Sequence, residues 1–138
     1  MTLTEKARQI FATDRYATEL TGITIDKVDE HLATCSLSVN AQHRNARGVV
    51  RGGVLFTLAD FCAAIAANSD CLSGDTAKLH WVSLDSNIHF LAPATGERLT
   101  ARCSALKVGR TTALYQTIIE SLDKGTPVAI VETCMIRA

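Results

Sequence analysis

Residues 52–67 read GGVLFTLADFCAAIAA, and this stretch decides the fold. Two glycines precede fourteen residues that carry a single charge, Asp60. The length and the alanine content of residues 54–67 favour a helix over a strand. A helix that is apolar nearly all round must be covered on most sides, so this segment is predicted to be the central helix of the fold.

Alternating apolar and polar residues on either side of this helix predict β-strands. Residues 23–39 predict a hairpin before the helix, and strands are predicted after it at 82–90, 99–105, 112–121 and 127–137. Strands joined by short turns pair as antiparallel neighbours. A capping-box pattern at Thr2 and Glu5 predicts a short amphipathic helix over residues 4–19. The predicted class is α+β, an antiparallel sheet of five or six strands curled around one buried helix.

Length and composition predict one globular domain spanning residues 1–138, with 47% hydrophobic and 20% charged residues. The 14 basic residues balance the 14 acidic ones, which argues against a nucleic-acid partner. The sequence has no apolar run of the roughly 20 residues that a membrane helix needs, and its first residues lack the apolar core of a secretion signal. We therefore expect a soluble, cytoplasmic protein with no membrane partner.

The cysteines and histidines predict neither a disulfide framework nor a metal site. The five cysteines are an odd number without a CxxC pair, which is typical of reduced thiols in a core. The four histidines show no metal-ligand spacing.

Asp60 is the strongest candidate for chemistry, because an isolated carboxylate is costly on an apolar helix. Burial is expected to raise its pKa and to make it a general base or a nucleophile. The alternative is an ion pair between Asp60 and an arginine at an interface. Its position in the middle of the helix excludes a capping role and favours the functional interpretation.

Gly52 and Gly53 precede the helix, where backbone N–H groups lack intrahelical partners and can stabilise an oxyanion. On the glycines alone, a tight turn with positive φ is the more economical interpretation. Gly53 and Asp60 are seven residues apart, about 10 Å along a helix. One chain therefore cannot bring both to the same carbonyl, and a shared site predicts an obligate oligomer with the site at the subunit interface.

Two further polar segments are candidates. Residues 43–51 carry three arginines, with no acidic residue between 41 and 59, and are equally compatible with an anion site and with a solvated loop. Ser83, Asp85, Asn87 and His89 alternate along one predicted strand. An exposed sheet face is the favoured interpretation for all of them except Ser83.

The assembled pattern resembles the hotdog-fold acyl-CoA thioesterases, and within them the PaaI-like branch of the phenylacetic acid degradation type. It comprises Asn45-x5-Arg51-Gly52-Gly53-x3-Thr57-Leu58-Ala59-Asp60, then Ser83, then Phe90-x-x-Pro93-Ala94-x-Gly96. The resemblance extends from about residue 22 to residue 138. It implies a curved sheet around one long helix, and hydrolysis of an aromatic, short or medium acyl-CoA thioester. It further implies dimers paired into a homotetramer and no separate cofactor, since coenzyme A is part of the substrate.

The resemblance also implies roles for individual residues. Asp60 becomes the nucleophile or general base, and the N–H of Gly53 or Gly52 binds the thioester carbonyl. Asn45 helps to hold the thioester or water, and Ser83 orients the attacking water. The turn at residues 107–112, with Arg110 and Thr111, matches the contacts that relatives make with the coenzyme A nucleotide. Independently of the resemblance, we expect side chains near Phe61, Ile65 and the helix end at Asn68-Ser69 to line the acyl pocket.

One position departs from the family pattern, since the family usually has His immediately before the glycine pair and this chain has Arg51. Arginine donates hydrogen bonds but is not a base. Two roles are open for Arg51: it positions the substrate carbonyl, or it pairs with Asp60 across the interface. The departure also motivates an alternative, a non-catalytic acyl-CoA-binding hotdog protein. A hotdog hydratase is less well supported, because the chain lacks the motif that pairs a catalytic His with an Asp.

Overall fold

The computed structural model describes residues 1–74 and 78–138. Its helices are α1 (Leu3–Phe11) and α2 (Gly52–Ala67), with a π-helical turn at Tyr16–Thr21 and short 3-10 helices at Ala41–His43 and Ser69–Ser73. Its strands are β1 (Ile23–Asp29), β2 (Leu32–Ser38), β3 (Trp81–Phe90), β4 (Arg98–Val108), β5 (Thr112–Ser121) and β6 (Pro127–Arg137). The predicted α+β class is confirmed, and the sheet has six strands.

The six strands form one antiparallel sheet in the order β1-β2-β4-β5-β6-β3. The inner face of the sheet packs on α2. Every second residue of β5 is buried, as expected for a strand with one face against the helix. Leu58 at the centre of α2 is fully buried, as are Leu99 on β4 and Ile119 on β5. Strand β3 lies at one edge of the sheet, so its outer edge has no neighbouring strand within the described chain.

Helix α2 is partly uncovered along one side. Two of its residues, Gly53 and Asp60, are exposed. Three more on the same side are half-buried: Phe56, Thr57 and Ala64. These five residues are three or four positions apart and lie on one face of the helix. We call this face the open stripe. The helix is covered on most sides, as predicted, by the sheet and by the N-terminal segment, and the open stripe is the part that one chain leaves uncovered.

The N-terminal segment contains a shorter helix than the predicted one over residues 4–19. The capping box is present, because the Thr2 hydroxyl accepts from the Glu5 N–H and the Glu5 carboxylate accepts from the Thr2 N–H. Helix α1 then ends at Phe11, where Asp14 starts a new turn by accepting from the Ala17 N–H. The periodic apolar positions beyond Phe11 thus belong to a separate π-helical turn.

All five cysteines are free thiols. Cys62 on α2, Cys35 on β2 and Cys103 on β4 are fully buried, as expected for core residues. Burial raises the pKa of the Cys103 thiol, which keeps it protonated and unreactive. In the described part of the chain, neither helix is both long enough and apolar enough to cross a membrane.

Candidate active site

Asp60 lies in the middle of the open stripe, beside strand β3. The Ser83 hydroxyl donates a hydrogen bond to Asp60 Oδ1 at 3.4 Å. Asp60 is exposed as a whole residue, but protein atoms surround the carboxylate on the side of the sheet. This partial burial raises the pKa of Asp60, the Ser83 hydrogen bond lowers it, and the charge of Asp14 raises it further. Asp60 is therefore a more basic carboxylate than a free aspartate.

A β-bulge turns Ser83 toward Asp60. The pairing of β3 with β6 shifts register between Ser83 and Asp85, so Ser83 pairs with buried Met135 whereas Asp85 pairs with Cys134. Adjacent residues of a strand face opposite sides, so without the extra residue Ser83 and Asp85 would share one face. Bulges often redirect side chains near active sites in this way. The bulge therefore places the Ser83 side chain on the opposite face of β3 from Asp85, Asn87 and His89.

The first turn of α2 offers two free backbone donors. The Arg51 carbonyl accepts from the N–H of Val54 at 2.9 Å and of Leu55 at 3.3 Å. Among the described residues, the N–H groups of Gly52 and Gly53 have no acceptor. Two such groups at a helix start form a natural site for a negatively charged oxygen.

Close packing explains the first glycine of the pair, and a turn explains neither of them. Neither glycine has positive φ, so the tight-turn interpretation is wrong. A Cβ on Gly52 would lie 3.0 Å from Cζ of Phe90, which is tighter than ordinary contact. A Cβ on Gly53 would come no closer than 3.9 Å, to Cγ of Arg51. Position 52 therefore needs glycine for the approach of the Phe90 ring, whereas position 53 has room for a methyl group.

Arg51 immediately precedes α2 in an extended conformation, with φ −62° and ψ 138°. Its aliphatic stem runs beside Gly53, at the N-terminal end of the open stripe. Its side chain is exposed and forms no ion pair within residues 1–74 and 78–138. In one chain, Arg51 thus carries a positive charge at the N-terminal end of α2, and Asp60 carries a negative charge about two and a half turns further along the helix.

Asn45 is held by its own loop. Its Oδ1 accepts from the N–H of Arg47 at 2.9 Å and of Val49 at 3.3 Å. The side chain borders a cavity of about 460 Å³ that reaches the first turn of α2. The residues lining this cavity, which we call the loop pocket, are Asn45, Arg47, Val49, Val50, Gly52, Leu55 and residues 90–94. The loop pocket thus brings Asn45 and Gly52 together.

Arg110 and Thr111 lie away from these residues. Their turn between β4 and β5 is joined to the C-terminus of β6, where the Thr111 carbonyl accepts from the Arg137 N–H at 2.9 Å. Arg137 in turn pairs with Trp81 at the start of β3, whereas Gly52 packs against Phe90 at its end. In one chain, the Arg110 turn and the loop pocket therefore lie at opposite ends of β3.

Phe61 is a core residue and does not reach the open stripe. It is 3% exposed, and its ring meets Phe11 edge to face with the centroids 5.9 Å apart. Neighbours on a helix point about 100° apart, so the position next to Asp60 faces the core. Within one chain Phe61 is thus part of the core, and its role at an acyl pocket stays a prediction.

The sequence did not identify Phe90 and Arg47 as neighbours of the site. Phe90 was only part of a motif, and its contact with Gly52 depends on how α2 crosses β3. His43, the first residue of the arginine-rich segment, is a buried structural residue. Its Nε2 donates to the Thr21 carbonyl at 2.7 Å, and its Nδ1 accepts from the Asn40 N–H at 3.1 Å.

Known proteins resemble this chain over most of its length. The family model described as the thioesterase superfamily matches residues 47–128. The acyl-coenzyme A thioesterase PaaI of Escherichia coli (strain K12) is 32% identical over 123 residues, 88% of this chain and 82% of the relative. A putative esterase of Deinococcus radiodurans is 30% identical over 113 residues, 81% of this chain and 72% of that protein. The solved structure of E. coli PaaI superposes with a TM-score of 0.83 at 28% identity, over 99% of this chain and 96% of that one.

Proposed function

The chain belongs to the thioesterase superfamily and is a thioester hydrolase, and from this premise we propose that it hydrolyses an acyl-CoA with residues of two subunits. Asp60 of one subunit acts on the same thioester as the Gly52 and Gly53 amides of the other. The observation that carries the proposal is the position of Asp60 and the free amides on a single helix face, about 10 Å apart.

In the proposed reaction, Asp60 is the general base. It takes a proton from a water molecule that the Ser83 hydroxyl helps to orient, and the hydroxide attacks the thioester carbon. The carbonyl oxygen gains negative charge and accepts from the amides of the α2 first turn, which are already in place. The C–S bond then breaks, and the leaving thiolate of coenzyme A takes up the proton from Asp60. Asn45 lies next to Gly52 and is suited to hold the substrate carbonyl or the water.

The open stripe and the β3 edge support a two-subunit site. An unpaired strand edge is a template for pairing with another chain, and Val82, Leu84 and Phe90 on β3 are each at least half exposed. In a twofold dimer the same patch meets itself, so contacts occur twice. Antiparallel apposition of two open stripes then places Arg51 of each subunit toward Asp60 of the other. This dimer, with pairing of dimers into a tetramer as in the family, is part of the proposal.

The direct test is hydrolysis of a panel of aromatic, short, medium and long acyl-CoA thioesters by the wild-type protein. Products are separated by chromatography, because five free cysteines would interfere with thiol-reactive dyes. We expect release of free acid and coenzyme A from at least one class. Tight binding of acyl-CoA by calorimetry without any product would contradict hydrolysis and support the non-catalytic binding protein.

Ser83→Ala is expected to move the acidic limb of the pH–kcat profile to higher pH. Asp60 acts as a base only when ionised, so the rate falls as the pH drops through its raised pKa. The Ser83 hydrogen bond lowers that pKa, and its removal leaves the effect of burial unopposed. The measurement is kcat between pH 4 and pH 9, roughly the range where a perturbed carboxylate titrates. An acidic limb that stays in place in Ser83→Ala would show that Ser83 does not act on Asp60.

Gly52→Ala and Gly53→Ala form a matched pair with different expected effects. The Gly52 methyl displaces the Phe90 ring, and because sub-ångström shifts at a site are costly, kcat/KM should fall about tenfold. The Gly53 methyl has room within its own chain and keeps the N–H, so kcat/KM should fall less than it does in Gly52→Ala. Equal losses in the two variants would contradict the packing explanation.

A further inference from the structure

Three residues at the loop pocket have hydrogen-bond donors that are free to bind a ligand. The Asn45 oxygen is used by its own loop, which leaves its amide nitrogen to donate. Gly52, whose N–H has no acceptor, and the exposed Arg47 also line the cavity. None of the three donates to another described residue, so together they complement a ligand that offers acceptors.

Arg47 carries a positive charge that nothing nearby neutralises. Its side chain has no acidic partner among the described residues, and the sequence has no acidic residue between 41 and 59. Arg44 in the same loop donates to the Gly48 carbonyl, but Arg47 lines the cavity. An arginine at an otherwise apolar cavity suits a carboxylate, with which it forms paired hydrogen bonds.

The rest of the wall is apolar, with Val50, Leu55 and Phe90 among its residues. A volume of about 460 Å³ is within the range of small-molecule pockets and accommodates a short acyl group. Gly52 and Arg47 line the same cavity, so a ligand that fills it can contact both residues. The phosphates of coenzyme A are separated from the thioester by the whole pantetheine arm, which makes them a poorer match.

We propose that the loop pocket binds the acyl group of the substrate and selects acyl chains that end in a carboxylate, with Arg47 as the specificity-determining residue. This inference rests on the proposed hydrolysis of acyl-CoA and names the substrate class of that site. The thioester carbonyl lies at Gly52, the methylene chain follows the apolar wall, and the terminal carboxylate accepts from Arg47.

Glutaryl-CoA and pentanoyl-CoA test this selection, because both have five acyl carbons and only the first ends in a carboxylate. We expect wild-type kcat/KM to favour glutaryl-CoA by roughly tenfold to a hundredfold, the range for a hydrogen-bonded charge. Arg47→Gln should remove this preference by lowering kcat/KM for glutaryl-CoA alone, and Arg47→Lys should keep part of it. Arg102→Gln, which removes a charge from the exposed sheet face, should leave the preference unchanged.

Thioesters of pantetheine, which lack the nucleotide and its phosphates, distinguish an acyl carboxylate from a phosphate. The preference for glutaryl over pentanoyl should persist in them. If Arg47→Gln instead weakens both CoA thioesters equally and neither pantetheine thioester, Arg47 contacts a phosphate and the inference is overturned. Equal wild-type rates for glutaryl-CoA and pentanoyl-CoA would overturn the selection and leave the hydrolysis intact. Absence of hydrolysis across the whole acyl-CoA panel would overturn both.

Discussion

Asp60→Asn is expected to lower kcat by about 100-fold to 10,000-fold, the effect of losing a positioned general base. Asparagine has the same shape and still accepts from the Ser83 hydroxyl, but it cannot take a proton from water. The fold should be retained, because Asp60 is exposed and makes no ion pair among the described residues. The measurement is steady-state kinetics with the best acyl-CoA of the panel, with circular dichroism as the check on folding.

Glu132→Gln is the matched control for Asp60→Asn. Glu132 is an exposed carboxylate on β6, away from α2, and its side chain has no hydrogen-bond partner among the described residues. Removing the charge of Glu132 should change kcat by less than about twofold, since an exposed surface charge interacts only weakly with the rest of the protein. Full turnover by Asp60→Asn would remove Asp60 from the mechanism.

Thr57→Arg is expected to convert the oligomer to monomers and to lower kcat by about 100-fold or more. Thr57 lies between Gly53 and Asp60 on the open stripe. In a twofold dimer the substitution introduces two bulky positive charges into the same interface, and such like-charge contacts cost several kcal/mol. Monomers keep Asp60 and the glycine amides but cannot bring them to one thioester, so the activity falls with the assembly.

Analytical ultracentrifugation of Thr57→Arg, paired with the hydrolysis assay, is the measurement. Thr126→Arg adds the same side chain at an exposed turn and should leave both the assembly and kcat unchanged. A monomeric Thr57→Arg with wild-type turnover would contradict a two-subunit site. A Thr57→Arg protein that stays oligomeric and active would place the interface elsewhere.

The sequence predicts the elements of the fold well, because alternation identifies the strands, and length and alanine content identify the central helix. The alternation at residues 82–90 and the apolar run at 54–67 both correspond to real elements. The end of α1 was missed, since the apolar positions continue past Phe11 while the hydrogen bonds of Asp14 start a new turn. The open stripe on α2 was also missed, because a periodic pattern does not say which strand lies at the edge of the sheet.

The candidate site was only partly predictable, for a related reason. Asp60 is identified as an isolated charge in an apolar helix, and the glycine pair as a helix start. The contact of Ser83 with Asp60 depends on a β-bulge, which shifts one side chain without a clear trace in the alternation. The packing of Phe61 against Phe11 joins two helices that are distant in the sequence, so the pattern around residue 61 could not predict it. Long-range contacts such as Gly52 with Phe90 come from tertiary packing alone.

Subunit mixing with two inactive variants tests the shared site most directly. Asp60→Asn removes the base. Gly52→Pro removes the N–H of the first helical position and places a ring against Phe90, so it disables the amide site of its own chain. Arg51 has ψ 138°, which is compatible with a following proline. Each variant alone should be inactive. The two chains are then co-expressed with different affinity tags, and the mixed dimers are purified through both tags.

In a mixed dimer, one site carries both defects and the other carries neither. The account therefore predicts that mixed dimers recover about half of the wild-type kcat per dimer, one functional site of two. If Asp60 and Gly52 acted from the same chain, every site would carry one defect and the mixed dimers would be as inactive as the parents. Recovery of activity supports the two-subunit thioesterase site, and its absence from intact mixed dimers would contradict it.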